Sequence, residues 1–379
     1  MKTNIPERIA ALREAMRQQK VDAYIIPSSD PHLSEYPADR WKSREWISGF
    51  TGSAGTIVVT ADKAGLWTDS RYFLQAASQL EGSGIELYKL ALPETPSITE
   101  FLLHELHAGQ AVGLDGQTYS AAEASALANK LSRKEIKLDT SADLIEGIWK
   151  DRPAVPGNPI FEMPEALSGA SVHEKLDLIN NQLRSEGADC LILAALDEIA
   201  WTFNIRGTDV TYNPVVVSYA FVSEDESVLF IKPEKLTAEI TEHLKKEGVT
   251  LAEYSMIQRY LSRLPENSRV FVDMNKTNVS LYDAIPGSCT IVEGISPANH
   301  LKSIKNETEI KGFQNAVVKD GVALTKFYIW LEKQMAEGAQ VTEISAAEKL
   351  TALRAEQPQY IMDSFGTICG YAEHGAIVH

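Results

Sequence analysis

Histidines and glycines occur at spacings that could suggest a metal site or a phosphate-binding loop. His104 and His107 in HELH are three residues apart, whereas the zinc motif H-E-x-x-H places its histidines four apart and needs a third ligand. The glycines of GFTGSAGT (49–56) match neither G-x-G-x-x-G nor the P-loop, which needs a lysine before Ser or Thr. We therefore interpret the histidines as part of a solvated helix face and the glycines as residues of tight turns between strands.

The stretch PSSDPHLSEY (27–36) combines hydroxyl, carboxylate and imidazole groups, which is the composition of a hydrolytic triad. However, the sequence has no G-x-S-x-G nucleophile elbow to support one. Asp30 precedes a proline, and Asp197 precedes a helical stretch. We interpret both aspartates as caps of a turn or helix.

Arg71 and His379 are harder to assign from their neighbours alone. Arg71, in LWTDSRYFLQA (66–76), opens a predicted amphipathic helix, where the macrodipole opposes a positive charge, so another group should hold it there. An ion pair with Asp69 is the simpler local interpretation, and a binding role is the alternative. His379, in GYAEHGAIVH (370–379), belongs to no local motif, and a lone histidine is more often a packed or surface residue than a catalytic one.

Two segments of the chain repeat one helix–strand pattern at an offset of 167 residues. Apolar residues at 5, 9, 12 and 16 recur at 172, 176, 179 and 183, and each set lies on one helix face. Each predicted helix runs into an apolar strand, and the same offset pairs Asp30 with Asp197. These matches indicate a duplicated unit. Gly52 and Gly207 are 155 residues apart, which predicts 12 extra residues in the first copy between the aspartates and the glycines.

The chain divides by composition into three parts. Four prolines within KDRPAVPGNPIFEMP (150–164) oppose helix and strand hydrogen bonding, so residues 151–164 are predicted to be a linker. Strand-like and helical runs alternate on both sides of it, which predicts α/β domains at 1–150 and 165–305.

The third part, residues 306–379, is predicted to begin with a long helix that opens at a capping box of Asn306 and Glu309, followed by a second helix in VTEISAAEKLTALRAEQ. Such a short part is too small for a generous core, so we expect an incomplete domain. We also expect four residues of the helix's apolar stripe of Ile310, Phe313, Val317, Leu324, Tyr328, Leu331 and Met335 to be exposed, namely Phe313, Val317, Leu324 and Leu331.

Charge and cysteine content exclude several classes of protein. The 36 basic and 52 acidic residues give a net charge of −16, which argues against non-specific binding to nucleic acid or anionic membranes. No apolar run approaches the length of a membrane span, and the N-terminal residues lack the apolar core of a signal peptide. The three isolated cysteines, Cys190, Cys289 and Cys369, are predicted to be buried, reduced thiols of a cytoplasmic protein.

Taken together, several stretches resemble the cytosolic three-domain aminopeptidase P family. The resemblance is carried, in chain order, by AYIIPSSDPHLSEY, ISGFTGSAGTIVVT, LWTDSRYFLQA, ALDEIAWTFNIRGTDVTYNPV, VTEISAAEKL and GAIVH, and it runs from near residue 8 to the last residue. It implies two tandem creatinase-N-like α/β domains followed by the N-terminal part of a pita-bread α+β catalytic domain. It also implies a cytoplasmic, homodimeric Xaa-Pro aminopeptidase, which removes the N-terminal residue from peptides with proline at the second position.

The same resemblance implies a chemistry and a set of residues. In this family two divalent metal ions, usually manganese, activate a bridging hydroxide that attacks the scissile carbonyl. The five metal ligands of the family follow the GAIVH motif, so we expect neither metal ligands, nor bound metal, nor catalytic activity in these 379 residues. Arg71 and His379 match family residues that contact the substrate, and the resemblance therefore favours a binding role for both over the local interpretations.

Other functions stay open at this stage. Creatinase-N modules also occur in non-enzymatic peptide-binding or chaperone-like proteins. Prolidase and creatinase share the catalytic fold, but they normally carry one such N-terminal domain, so the duplication favours aminopeptidase P.

Overall fold

The computed structural model describes residues 5–376, and the first half of the chain forms a six-stranded mixed sheet. Its strands are β1 (Ala23–Ile26), β2 (Thr56–Thr60), β3 (Ala64–Thr68), β4 (Glu86–Lys89), β5 (Ala111–Leu114) and β6 (Lys137–Asp139). Their order is β4-β3-β2-β1-β5-β6, with β1 antiparallel to β2 and parallel to β5. The helices of this half are α1 (Ile5–Gln19), α2 (Ser43–Ser48), α3 (Phe73–Gln79), α4 (Ile98–Glu105), α5 (Ala121–Ser132) and α6 (Leu144–Ile148).

The second half repeats this sheet. Its strands are β7 (Phe161–Glu162), β8 (Cys190–Leu193), β9 (Ile205–Arg206), β10 (Ser218–Ser223), β11 (Ser227–Ile231), β12 (Val249–Ala252), β13 (Arg269–Val272) and β14 (Thr290–Glu293). The large sheet has the order β12-β11-β10-β8-β13-β14, and β7 pairs with β9 separately. The helices are α7 (Glu165–Ser168), α8 (Val172–Glu186), α9 (Leu196–Thr202), α10 (Ala238–Lys246), α11 (Ile257–Leu261), α12 (Val279–Tyr282) and α13 (Pro297–Ser303).

When β8 is matched with β1, the two large sheets have the same strand order and the same strand directions. Helices α1 and α8 have the same length and lie 167 residues apart, as do β1 and β8. The mixed α/β class and the duplicated helix–strand unit are therefore confirmed. The domain boundaries stay a prediction, and the predicted linker is not wholly irregular, because β7 lies within it.

The predicted apolar faces of the two matched helices are the ones that are buried. They are Ile5, Ile9, Leu12 and Met16 of α1, and Val172, Leu176, Ile179 and Leu183 of α8. Each fully buried side chain of this size contributes about 1.5–3 kcal/mol relative to exposure. Helix α8 begins at a capping box of Ser171 and Glu174 and ends at Gly187, whose φ of 67° is the left-handed conformation that favours glycine.

The offset of 167 residues ends directly after the matched strands. Residues 27–42 separate β1 from α2, whereas only residues 194–195 separate β8 from α9. The extra residues of the first half therefore lie within this segment and precede α2. Asp30 consequently lies in a loop and Asp197 in the first turn of a helix, so their predicted equivalence is wrong. The offset of 155 residues does hold at the helix ends, where Gly49 and Asn204 both adopt positive φ.

The extra segment 27–42 packs against the second half through His32, which is buried. Its Nδ1 lies 2.8 Å from the carbonyl oxygen of Ala194, and its Nε2 lies 2.9 Å from the hydroxyl of Tyr254. The neighbouring carbonyl of Pro31 accepts a hydrogen bond of 2.7 Å from Nδ2 of Asn278. One turn of the first half is therefore hydrogen-bonded to the second half, and backbone hydrogen bonds between residues 116–122 and 274–280 join the halves as well.

The C-terminal segment, residues 306–376, consists of α14 (Glu307–Ala336), α15 (Glu343–Ala355) and irregular chain that follows them. The predicted capping box at Asn306 and Glu309 is confirmed. Helix α14 packs against α15, yet Phe313 and Val317 are 60% and 71% exposed, as predicted. Leu324 and Leu331 are half-buried, so the prediction of their exposure is wrong.

Burial distinguishes the three cysteines. Cys190 is buried as predicted, Cys289 is half-buried and Cys369 is exposed, so the prediction of uniform burial is wrong. All three are free thiols. Within residues 5–376 no helix combines the length and the apolar composition needed to cross a bilayer.

The contacts of His32 predict a pH-dependent stability. Because the Ala194 carbonyl can only accept, Nδ1 carries the proton and Nε2 accepts from Tyr254. Burial lowers the pKa of His32, although the nearby Asp30 opposes this effect. The unfolded chain, with an ordinary histidine pKa of about 6.5, therefore binds the proton more readily, and stability is lost as the pH falls below that value.

We expect the melting temperature of the wild-type chain to fall more steeply between pH 7 and pH 5 than that of His32→Asn. The exposed His300 is the matched control, and His300→Asn should keep the wild-type slope. Equal slopes for wild type and His32→Asn would contradict the assignment.

Candidate substrate-binding cleft

Arg71 lies in a short 3₁₀ helix, Ser70–Tyr72, directly after β3. Asp69 caps this helix by accepting from the backbone N–H of Arg71 at 3.1 Å. The same carboxylate accepts from Nε and Nη2 of the guanidinium, each at 2.9 Å. These hydrogen bonds raise the pKa of Arg71 and lower the pKa of Asp69. The local prediction of an Asp69–Arg71 ion pair is confirmed, and since both side chains are more than a third exposed, the pair contributes at most about 1 kcal/mol.

Tyr72 connects Arg71 to the glycine loop that precedes β2. The Tyr72 hydroxyl lies 2.6 Å from Oγ of Ser53, and the Arg71 guanidinium carbon lies 5.1 Å from the centre of the Tyr72 ring. A Cβ atom on Gly52 would lie 2.8 Å from Cδ1 of Tyr72 and would also overlap the ring of Phe50. The glycines thus form tight turns, but between α2 and β2 rather than between two strands.

A buried arginine holds the same loop from beneath. Arg44 of α2 donates to the carbonyls of Phe50 and Gly52, and its Nε donates to Oγ of Ser28 at 2.9 Å. Desolvation lowers the pKa of Arg44 to about 10, so the side chain stays charged at neutral pH. Sequence reasoning missed Arg44, although an arginine between the apolar residues Trp41 and Ile47 was a usable signal.

Two cavities meet where the first half, the second half and the C-terminal segment come together. The first, of about 260 Å³, is lined among others by Glu35, Tyr36, Ser53 and Tyr212. The second, of about 570 Å³, is lined by Tyr212 and by C-terminal residues that include Phe365. Arg71 is connected to the first cavity through Tyr72 and Ser53. We refer to the two cavities together as the junction cleft. His379 lies outside the described residues.

The other motifs do not assemble into a catalytic site. Ser28 donates to the carbonyl of Gly55, and His32 bonds to the second half, so PSSDPHLSEY forms no triad. Asp30 accepts from the N–H groups of His32 and Ser34 and caps a turn, as predicted. The predicted cap at Asp197 is wrong, because the N-cap residue of α9 is Ala195 and the Asp197 carboxylate accepts from Nζ of Lys302 instead.

The described residues do not fit a pair of divalent metal ions. The predicted solvated helix face of HELH is confirmed for His104, whose side chain is 84% exposed on α4, but is wrong for His107, which is exposed but lies beyond the end of α4. Within residues 5–376 no group of three or more His, Cys, Asp or Glu side chains is arranged to hold a metal.

The two halves match known domain models. Residues 8–148 match the Creatinase/Prolidase N-terminal domain, and residues 151–309 match a second model with the same description. The chain contains two creatinase/prolidase N-terminal domains. We refer to them as the first and second creatinase-N domains, and they correspond to the two large sheets.

Relatives of known name cover the whole chain. The chain is 38% identical over 385 residues to a probable Xaa-Pro aminopeptidase P of Laccaria bicolor, with 99% of this chain and 59% of that protein covered. It is 36% identical over 412 residues to aminopeptidase P2 of Arabidopsis thaliana, with 100% of this chain and 58% of that protein covered. The chain thus spans about 60% of the length of these relatives.

One solved structure has the same fold over nearly the whole chain. It is an X-prolyl aminopeptidase from Caenorhabditis elegans, described as a cytosolic enzyme with a di-nuclear active site. The TM-score is 0.89 at 30% sequence identity, and the match covers 95% of this chain and 61% of that one.

The packing around Gly52 predicts that this position tolerates no side chain. We expect Gly52→Ala to destabilise the chain by about 1–3 kcal/mol, because the added methyl group overlaps Phe50 and Tyr72. Gly147 lies in α6 with no atom within 4 Å of its hypothetical Cβ, so Gly147→Ala is the matched control and should be neutral or stabilising. Urea unfolding measures both, and equal midpoints for Gly52→Ala and wild type would contradict the packing argument.

Proposed function

We propose that these 379 residues are the N-terminal part of a longer, metal-dependent Xaa-Pro aminopeptidase and orient its peptide substrate. The observation that carries the proposal is 36–38% identity to proteins named as Xaa-Pro aminopeptidases over practically the whole chain. The substrate would be a peptide with proline at the second position. The enzyme would act in the cytoplasm as a homodimer.

In this proposal, Arg71 binds the peptide through the side of its guanidinium that faces away from Asp69. Asp69 engages Nε and Nη2, which leaves Nη1 to donate to a peptide carbonyl or carboxylate. The Arg71 side chain is 37% exposed, so a peptide can reach the guanidinium from solvent. The ion pair and the binding role are therefore compatible, because the carboxylate fixes the direction in which the guanidinium points.

His379 is the second proposed substrate contact, near the scissile bond. The two divalent metal ions, which we propose to be manganese, would be held by residues of the longer protein. When bound, they would lower the pKa of the attacking water and polarise the scissile carbonyl. The 379-residue chain would then have no peptidase activity by itself.

The first test is an assay of Xaa-Pro-Pro peptide cleavage with added Mn²⁺. The longer natural protein should release the N-terminal residue, and the 379-residue chain should not. Cleavage by the 379-residue chain would overturn the assignment of the metal site to the longer protein. If the longer protein cleaves no peptide with Mn²⁺ or with other divalent ions, the enzymatic proposal fails and the function is peptide binding without catalysis.

The second test concerns Arg71. In the longer protein, we expect Arg71→Lys to raise KM for Xaa-Pro-Pro peptides about tenfold with little change in kcat. Lysine keeps the positive charge but lacks the planar guanidinium whose orientation Asp69 fixes. The exposed Arg133, directly after α5, is a matched control, and Arg133→Lys should have wild-type kinetics. Wild-type kinetics for Arg71→Lys would leave Arg71 with only its ion pair.

A further inference from the structure

Tyr212 occupies a central position in the junction cleft. It is half-buried and lines both cavities, the one of about 260 Å³ in the first creatinase-N domain and the one of about 570 Å³ beside the C-terminal segment. Its ring lies 6.1 Å from that of Tyr36, at an interplanar angle of 71°. Its hydroxyl lies 3.2 Å from the position that a Cβ atom of Gly366 would take. Tyr212 therefore touches the chain segments on both sides of the cleft.

The backbone of Tyr212 is strained. Its φ of 65° lies in the left-handed region, which L-residues with bulky side chains rarely adopt. Such a conformation persists only where the surrounding structure enforces it, and it is concentrated at binding and active sites. The left-handed backbone of Tyr212 fixes the direction in which its side chain leaves the loop.

The loop that carries Tyr212 is held at its base by a buried ion pair. Asp209 accepts from the backbone N–H of Val217 at 2.7 Å and from Nζ of Lys235. The side chains of Asp209 and Lys235 are 1% and 0% exposed. Nδ2 of Asn158 donates to the carbonyl of Thr208 at 2.9 Å, and residues Val210 and Asn213 form an isolated bridge. These contacts keep the tip of the loop in one conformation.

The chemistry of the cleft changes from one cavity to the next. On the side of the first domain, the wall combines the aromatic edge of Tyr36 with the carboxylate of Glu35 and the hydroxyl of Ser53. The loop that bears Arg71 adjoins this wall, because the hydroxyl of Tyr72 lies within hydrogen-bond distance of Oγ of Ser53. On the other side, the wall belongs to the C-terminal segment and includes Phe365. A peptide that occupies both cavities would contact Tyr212, because this residue lines both of them.

We infer that Tyr212, paired with Tyr36, is a specificity-determining residue that binds the residues of the peptide beyond its third position. The inference rests on the proposed function. Aromatic rings pack well against the flat, apolar faces of pyrrolidine rings, so the site favours peptides that continue with proline or another apolar residue. A cavity of about 260 Å³ is near the lower end of the roughly 300–1,000 Å³ of ligand sites, which suits a short stretch of peptide.

The test uses the longer natural protein and peptides that begin Xaa-Pro-Pro and lengthen from three to five residues. Tyr212→Gly removes the ring and also relieves the positive φ, so its melting temperature should not fall. We expect its KM to rise about tenfold for the pentapeptide, which corresponds to about 1.4 kcal/mol, and to change much less for the tripeptide. Tyr212→Phe keeps the ring and should stay within about twofold of wild type for both peptides.

Tyr282 of α12 is a matched control, because it is a half-buried tyrosine outside the lining of both cavities, and Tyr282→Phe should have wild-type kinetics. An equal effect of Tyr212→Gly on all peptide lengths, or no effect, would overturn the inference. If Tyr212→Gly does not fold, Tyr212→Asn replaces it, since asparagine also tolerates positive φ.

A binding measurement separates this inference from the proposed function. If the longer protein cleaves no Xaa-Pro peptide, the proposed function fails, and fluorescence anisotropy of a labelled Xaa-Pro-Pro pentapeptide on the 379-residue chain tests Tyr212 alone. Weaker binding by Tyr212→Gly than by Tyr282→Phe would support the peptide contact. Equal binding by the two variants, or no binding by the wild-type chain, would overturn it.

Discussion

The hydrogen bonds of His32 are the interaction on which the geometry of the cleft depends. They join the turn after β1 to the start of α9 and to Tyr254 of the second domain. Glu35 and Tyr36 follow within four residues, so their distance from Tyr212 is set largely by this contact. A buried imidazole with both nitrogens bonded has little freedom to rotate. The two domains therefore present one cleft rather than two independent surfaces.

The two duplicated domains form the scaffold, and the cleft carries the candidate binding residues. The two sheets have the same strand order, and helices α1 and α8 bury the same apolar pattern. The segment 27–42 and the loop that carries Tyr212 are two of the places where the halves differ, and both contribute to the cleft. Loops on a rigid frame can change without exposing the core, and this is why binding residues accumulate on them.

Buried charges surround the cleft, and each has a specific partner. Arg44 is paired with carbonyl oxygens of the glycine loop, and Lys235 is paired with Asp209 beneath the Tyr212 loop. Desolvation lowers the pKa of both Arg44 and Lys235, because burial disfavours the charged form of each side chain. Buried ion pairs contribute little net stability compared with apolar residues, and one attested use of them is to select a single arrangement. Around this cleft they hold two loops whose shape the apolar core does not specify.

The sequence by itself determined the elements and their duplication. Periodic apolar residues predicted α1 and α8, a capping box predicted the start of α14, and the constant offset predicted that α1 and β1 recur as α8 and β8. These features follow from interactions between residues close along the chain, and local patterns record such interactions. The Asp69–Arg71 ion pair was predictable for the same reason, because only two residues separate its members.

Only the tertiary structure decided where the offset ended, which residues line the cleft and how they are held. Tyr36 and Tyr212 are 176 positions apart, and His32 and Tyr254 are 222 apart, so no local pattern records either contact. The positive φ of Tyr212 is likewise a feature that only the folded structure shows, since tyrosine has no local preference for this conformation. Local sequence specifies which segments become helices and strands, whereas burial and long-range hydrogen bonds decide which of their side chains meet.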